Sequence, residues 1–167
     1  MAHIHSFSPV TDPCCTKLIL GSIPGKISLS TNQYYAHPRN YFWKFVNSLL
    51  EIPQDLQYMK RCEEIVRKKI ALWDVLKTCT RSSSLDSDII ESSIIPNDFE
   101  AFFKIHKNIN SIYFNGAKAE KIYNKHILPN LSSDFSRILT VRLPSTSPAN
   151  ASIPVENKLM QWSIIAK

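Results

Sequence analysis

Glycine is nearly absent from this chain: 167 residues hold three, where average usage of about 7% gives several-fold more. Glycine this scarce is kept where a side chain blocks a turn or a ligand. Gly21 and Gly25 both fall within Leu18–Trp43, and Gly116 follows another apolar run, so two expected strand ends look like parts of one site. No Cys-x-x-Cys occurs among Cys14, Cys15, Cys62 and Cys79, which argues against a zinc or iron–sulfur site and for buried or incidental thiols. No run approaches the ~20 apolar residues of a membrane span, and MAHIHSFSPVTDP lacks the basic and apolar regions of a signal peptide. A cytoplasmic protein is the expectation. G-x-G-x-x-G, G-x-x-x-x-G-K-[ST] and G-x-S-x-G are all missing, which counts against dinucleotide enzymes, NTPases and serine hydrolases.

What is present fits one globular domain over 1–167. Hydrophobic residues make up 44% and charged residues 20%, and a chain this long buries about two thirds of its unfolded surface. The net charge of +6 hints at a polyanionic partner. Four short apolar runs read as strands: Lys17–Leu20, Ile70–Trp73, Ser111–Asn115 and Ile138–Leu143. Their near-continuous apolar character suits strands covered on both faces. Helical patterns separate them. One carries Phe42, Phe45, Val46, Leu49 and Leu50 on a single face, with Asn40 placed to cap it. Others are expected near Gln57–Lys69, from Asp86 or Ser87, over Asp98–His106, and along Ala119–Ile127 up to Pro129. A last helix starts at Ser152–Pro154 and is expected to bury Val155, Leu159 and Trp162. Strands alternating with helices imply right-handed crossovers and an α/β three-layer sandwich around a four-stranded, mostly parallel sheet.

Ligands of such sheets bind beyond the carboxyl ends of the strands, where Gly21–Asn40, Asp74–Ser84, Asn115–Gly116 and Pro144–Ser152 converge. From Lys17 to Trp43 there is no Asp or Glu, so the expected cleft is acid-free, walled by tyrosines and amides. Such a site suits a planar, neutral ligand such as a nucleobase, for which an aromatic plate contributes on the order of 1–3 kcal/mol. The loop LPSTSPANAS carries no charge. It is either a phosphate-holding or duplex-pressing loop, or a plain strand-to-helix connection. Asp74 reads as a brace for neighbouring loops rather than a base.

GSIPG, YYAHPRNYFW, ALWDVLKTCTRSSSLDSDI, IYFNGAKA and LPSTSPANA, in this order along nearly the whole chain, resemble the hypoxanthine-DNA (deoxyinosine) glycosylases of the uracil-DNA glycosylase superfamily. The resemblance implies a monofunctional enzyme of base excision repair. It would hydrolyse the N-glycosidic bond of deaminated bases, chiefly hypoxanthine, in DNA as a monomer without metal or cofactor. Mismatch-specific relatives carry Asn before Pro-Gly, where it positions water; Ile23 stands here. The asparagine closing Tyr-Ala-His-Pro-Arg-Asn is associated with catalysis in the hypoxanthine family, and that is Asn40. His37 either assists or packs the loop. Tyr35 matches the position on which the flipped base stacks, Asn115 the amide that reads the base edge, and Gly21, Ser22 and Ile23 the base-binding turn. Pro144, Ser145, Thr146, Ser147 and Pro148 fall in the DNA-contacting loop, and the wedge is one of Ser147, Pro148, Ala149 and Asn150. Uracil-specific enzymes carry His before Pro-Ser, where this chain has Leu143. The same scaffold also accommodates uracil or mismatched thymine, and Ile23 and Leu143 leave room for a non-catalytic DNA-binding module.

Overall fold

The computed structural model describes residues 1–167. Four strands form a fully parallel sheet: β2 (Lys17–Gly21), β3 (Ile70–Asp74), β6 (Ser111–Asn115) and β7 (Leu139–Leu143), in the order β3-β2-β6-β7. These are the four expected runs, within a residue at each end. Alternation along the strands sends Leu18, Leu20, Ala71, Trp73, Ile112 and Phe114 to one core. Ile19, Ile70, Leu72, Tyr113 and Leu143 go to a second core on the other face.

Helices cover both faces, as the sandwich requires. α2 (Phe42–Leu50), α3 (Tyr58–Arg67) and α6 (Val155–Trp162) supply apolar side chains to the second core. α4 (Phe99–Ile105) and α5 (Ala117–His126) supply the first. Asp98 caps α4 by accepting from Ala101 N at 2.9 Å. The helix expected from Asp86 or Ser87 is a single 3₁₀ turn, Asp86–Asp88.

Three expectations need correction. α6 centres its buried face on Trp162 and Lys158, with Val155 and Leu159 only half-buried. β7 is a largely exposed edge, not a strand covered on both faces. The opposite edge, β3, is fully buried because Val10 closes it with a pair of 2.9 Å main-chain bonds to Leu72. The third is an unforeseen antiparallel sheet of β1 (Ala2–His5), β4 (Leu76–Arg81) and β5 (Ile95–Pro96), in the order β1-β4-β5. Val75 alone separates β3 from β4, so one chain segment passes directly between the two sheets. A short helix, α1 (Lys26–Thr31), is likewise additional. Three cysteines are buried and Cys14 is exposed, all as free thiols.

Candidate active site

β2 and β6 lead their loops to opposite sides of the sheet, and the crevice between such strand ends is where α/β sheets hold ligands. A cavity of about 800 Å³ opens there. Its walls come from the Gly21–Ser28 turn, the Tyr34–Asn40 loop, the ends of β3 and β6, and the Ser145–Asn150 loop. Tyr35, Asn40 and Asn115 therefore share one cavity, as do His37, Gly21, Ser22, Ile23, Ser145, Thr146, Ser147 and Pro148.

The floor is a row of strand ends. Gly21 pairs with Asp74, and Asn115 flanks Gly21 from the other side, one residue past the Leu20–Phe114 pair. Alternation turns all three toward the α2 face of the sheet. A Cβ on Gly21 would stand 2.7 Å from Asp74 Oδ1 and 3.1 Å from the Tyr35 hydroxyl oxygen, so no side chain fits between them. Gly116, at φ +100°, has the Ser145 Cβ 3.0 Å from where its own would stand. Gly21 and Gly116 are thus kept by close approach, whereas a Cβ on Gly25 would meet nothing within 4 Å, so the expectation fails for the third glycine.

Tyr35 sits in the left-handed region at φ 56°, which is unfavourable for a bulky L-residue. Its neighbours hold it there. Ala36 N donates to Ser28 Oγ (3.1 Å), Trp43 Nε1 to Tyr34 O (2.9 Å), and Tyr34 N to the Tyr58 hydroxyl (3.0 Å). The ring stacks on Phe42 at 3.9 Å, and its hydroxyl is buried without a hydrogen-bond partner. Burial, and then the Asp74 charge, push the phenol far above its ordinary value; Asn115 opposes weakly, without making a well-formed bond.

Asn40 Oδ1 accepts from Phe42 N at 2.9 Å, an Asx turn that satisfies the first N–H of α2 from one residue ahead of its N-cap. The N-cap is Tyr41 rather than the expected Asn40, and the Nδ2 amide stays uncommitted. His37 Nδ1 accepts from Arg39 N at 3.1 Å, a local turn bond that fits the packing reading of this imidazole. Asn115 is pinned at both ends: Nδ2 donates to Thr146 Oγ1 and Oδ1 accepts from Thr146 N, each at 2.9 Å. Thr146 is fully buried and its carbonyl also accepts from Tyr41 N (3.0 Å). This corrects the expectation of a DNA contact at Thr146, since every polar group of the residue is spent inside the protein. Pro144 likewise lies outside the cavity lining, its carbonyl accepting from Trp162 Nε1 at 2.8 Å. Ser145, Ser147 and Pro148 remain half-exposed, and Ala149 forms the exposed tip.

The cleft is not acid-free. Asp74 and Asp86 both line it, brought in by β3 and the 3₁₀ turn from outside the segment that lacks acids. Asp74 Oδ2 accepts from Ser6 Oγ at 2.7 Å, and its main-chain carbonyl accepts from Asn97 Nδ2 at 2.8 Å. The bracing role expected of Asp74 is thus present, alongside a carboxyl oxygen that faces the cavity floor. Burial pushes the carboxyl up to about 7; Asp86 adds to the rise, while Ser6 and Arg81 oppose it. Asp86 accepts from Ser22 Oγ at 2.7 and 2.8 Å and is also raised by burial. Arg81, almost fully buried at the end of β4, donates through Nη2 to Pro24 O and leaves Nε and Nη1 unpartnered. Its charge offsets both carboxylates while anchoring the first loop. Lys158, also buried, donates to Ser145 O (3.0 Å) and to Asn150 O, fastening the uncharged last loop. Sequence patterning missed Arg81 and Lys158, because charges read as solvated surface unless a strand or a helix face is known to be buried, and it read Asp74 only as a brace and Asp86 only as a helix start.

Comparison with known proteins agrees with this architecture. The Uracil DNA glycosylase superfamily matches residues 9–164. A Methanosarcina acetivorans protein named Hypoxanthine DNA glycosylase is 34% identical over 160 residues, 95% of each chain. A Methanosarcina barkeri protein of the same name is 40% identical over 114 residues, 68% of this chain and 71% of that one. A solution NMR structure of a Methanosarcina acetivorans protein superposes with a TM-score of 0.82 at 32% identity, covering 99% of this chain and 97% of its own. With its four-stranded parallel sheet and the cavity at the carboxyl ends of the strands, the chain belongs to the uracil DNA glycosylase superfamily.

Proposed function

We propose that the protein hydrolyses the N-glycosidic bond of deaminated bases in DNA, hypoxanthine foremost. The observation that carries this reading is that Tyr35, Asn40 and Asn115 line one cavity large enough for a purine nucleoside. The relatives named for hypoxanthine support the choice of base.

The base leaves the helix at a cost of a few kcal/mol, least when it is poorly paired. Its deoxyribose phosphates lie against Lys26 and Arg39, exposed at the cavity mouth, and the Ser147–Asn150 tip fills the gap it leaves. The extruded purine stacks on Tyr35 and meets the free Nδ2 hydrogen of Asn115. The bond from C1′ to N9 breaks with its electron pair going to the base, and the sugar becomes cationic. Main-chain N–H groups at Gly21–Ile23 stabilise the negative charge on the departing base. Asn40 Nδ2 holds the water whose oxygen bonds to C1′ and whose proton is released. His37 shapes the loop. The protein acts as a monomer and needs no metal or cofactor.

A panel of duplexes carrying a single deoxyinosine, uracil, xanthine or G·T lesion tests the reading by alkaline cleavage at abasic sites. Hypoxanthine release is expected to be fastest. Faster uracil release overturns the substrate, and no abasic product from any lesion overturns the activity.

A further inference from the structure

Bond cleavage as drawn above uses neither Asp86 nor the hydroxyl of Ser22, although both residues line the cavity. Ser22 Oγ stands 2.7 and 2.8 Å from the two Asp86 carboxyl oxygens, good O–H···O distances to either one. The pair is held from both sides. Val75 N and Leu76 N donate to Gly21 O and Ser22 O at 2.9 and 3.1 Å, which ties the Gly21–Ile23 turn to the junction of β3 and β4. Just beyond that turn, Lys26 N donates to Ser84 Oγ at 3.2 Å, which ties it to the loop that carries Asp86. The serine therefore belongs to the segment whose main-chain N–H groups meet the departing base. A carboxylate there opposes departure, because it repels the charge that grows on the base. A carboxylic acid assists it. A serine hydroxyl has one hydrogen, and with Asp86 ionised that hydrogen is bound to the carboxylate. With Asp86 protonated the bond reverses: the acid donates to Ser22 Oγ, and the serine hydrogen is free to turn into the cavity. Burial favours the protonated form, lifting the carboxyl above its ordinary value against the pull of Ser22, Arg81 and Lys118. Asp74, Cys79 and Tyr35 are the other titratable groups within reach of its charge.

We propose that Ser22, recharged by Asp86, is the proton donor to the departing purine and delivers its hydrogen to N7. The inference rests on the glycosylase reading of the cavity and adds how the base leaves. N7 is the most basic ring nitrogen of the nucleoside, and a purine protonated there departs as a neutral tautomer. As the bond from C1′ to N9 breaks, its electron pair goes to the base. N7 takes the serine hydrogen, and Ser22 takes the hydrogen of Asp86. The proton that the attacking water gives up restores the acid through solvent. Uracil offers no such ring lone pair, because its N3 carries hydrogen and its N1 holds the sugar. It leaves as an anion, on the main-chain N–H groups alone. Ser22 touches the base, and Asp86 acts through it as a positioning residue and proton source.

Single-turnover release from deoxyinosine and deoxyuridine duplexes tests the assignment in wild type, Asp86→Asn, Ser22→Ala and the double variant. Asp86→Asn still offers Ser22 an acceptor and a donor, so it keeps the contact and loses only the transferable proton. Thermal unfolding close to wild type checks that the contact survives. Deoxyinosine release should fall on the order of 100-fold, the low end of general acid catalysis. Uracil release should fall far less, so that the ratio of the two rates drops by at least about 10-fold. The double variant should lose no more than the worse single one, since both residues serve one transfer. Wild-type deoxyinosine release, divided by that of Asp86→Asn so that the titration of Asp74 cancels, should fall as pH rises. On 7-deazadeoxyinosine, which lacks N7, wild type should lose its advantage over Asp86→Asn. Equal losses on both bases, with a rate ratio that rises with pH, make Asp86 a carboxylate that stabilises the sugar cation, and the proposal falls. A wild-type advantage kept on the 7-deaza base overturns it equally. If wild type yields no abasic product from either duplex, the glycosylase reading itself fails and takes this step with it.

Discussion

Asn40 answers to two demands at once, satisfying the first N–H of α2 through Oδ1 and offering Nδ2 to the cavity. The substitutions that separate them differ. Asn40→Ala loses both, so stability drops by about 1 kcal/mol, the usual worth of one such hydrogen bond, and base release falls at least 100-fold. Asn40→Asp keeps the acceptor and loses the donor, so thermal unfolding stays near wild type while single-turnover release still collapses. Gly21→Ala tests the crowded floor. Its methyl meets Asp74 Oδ1 and the Tyr35 hydroxyl, so a loss of a few kcal/mol of stability accompanies a sharp rise in KM. Asp74 also makes stability depend on pH. Its carboxyl titrates near 7 in the folded chain, against an ordinary value of 3.8. Between these values the folded chain holds a proton that the unfolded chain has released. Stability therefore falls as pH rises from about 4 to 7. Asp74→Asn escapes that loss: denaturant titrations should match wild type at pH 4 and exceed it by on the order of a few kcal/mol at pH 8. Asn40 was legible from its place before an amphipathic run. Asp74 as a cavity group was not, because it stands far along the chain from the loop it serves and only strand register brings it beside Gly21.

At the scale of elements, the last loop shows how an uncharged segment is made rigid. Thr146 and Asn115 exchange two bonds, Thr146 O receives Tyr41 N, and Lys158 and Trp162 hold the flanking carbonyls. Thr146→Val keeps the shape and deletes one acceptor, leaving the Asn115 donor facing a methyl. A destabilisation of about 1–3 kcal/mol follows, and KM for deoxyinosine DNA should rise more than kcat falls. The parallel strands were readable because continuous apolar runs bounded by polar loops have few other uses. The second sheet was not. β1 buries one residue of its four and β5 has only two residues, so neither carries a period long enough to recognise. β4 reads as a polar run, and its alternation acquires meaning only once β1 lies against it.

For the molecule as a whole, the +6 charge acts through position. Lys26 and Arg39 sit exposed at the cavity mouth. Replacing either by alanine should weaken binding to damaged and undamaged duplexes alike and lower the slope of log affinity against log salt by about 1. A change confined to damaged DNA would assign them to base selection instead. Composition made a polyanion a fair guess, but only the fold shows which cations face the opening and which, as with Arg81 and Lys158, hold the frame from inside. The site also draws on both ends of the chain. Ser6 aims the carboxyl of Asp74, while Lys158 and Trp162 secure the loop that Asn115 grips. A copy that loses the segment around Ser6, or the one that carries Lys158 and Trp162, thus lacks one of the two supports of the site, and its base release should fall.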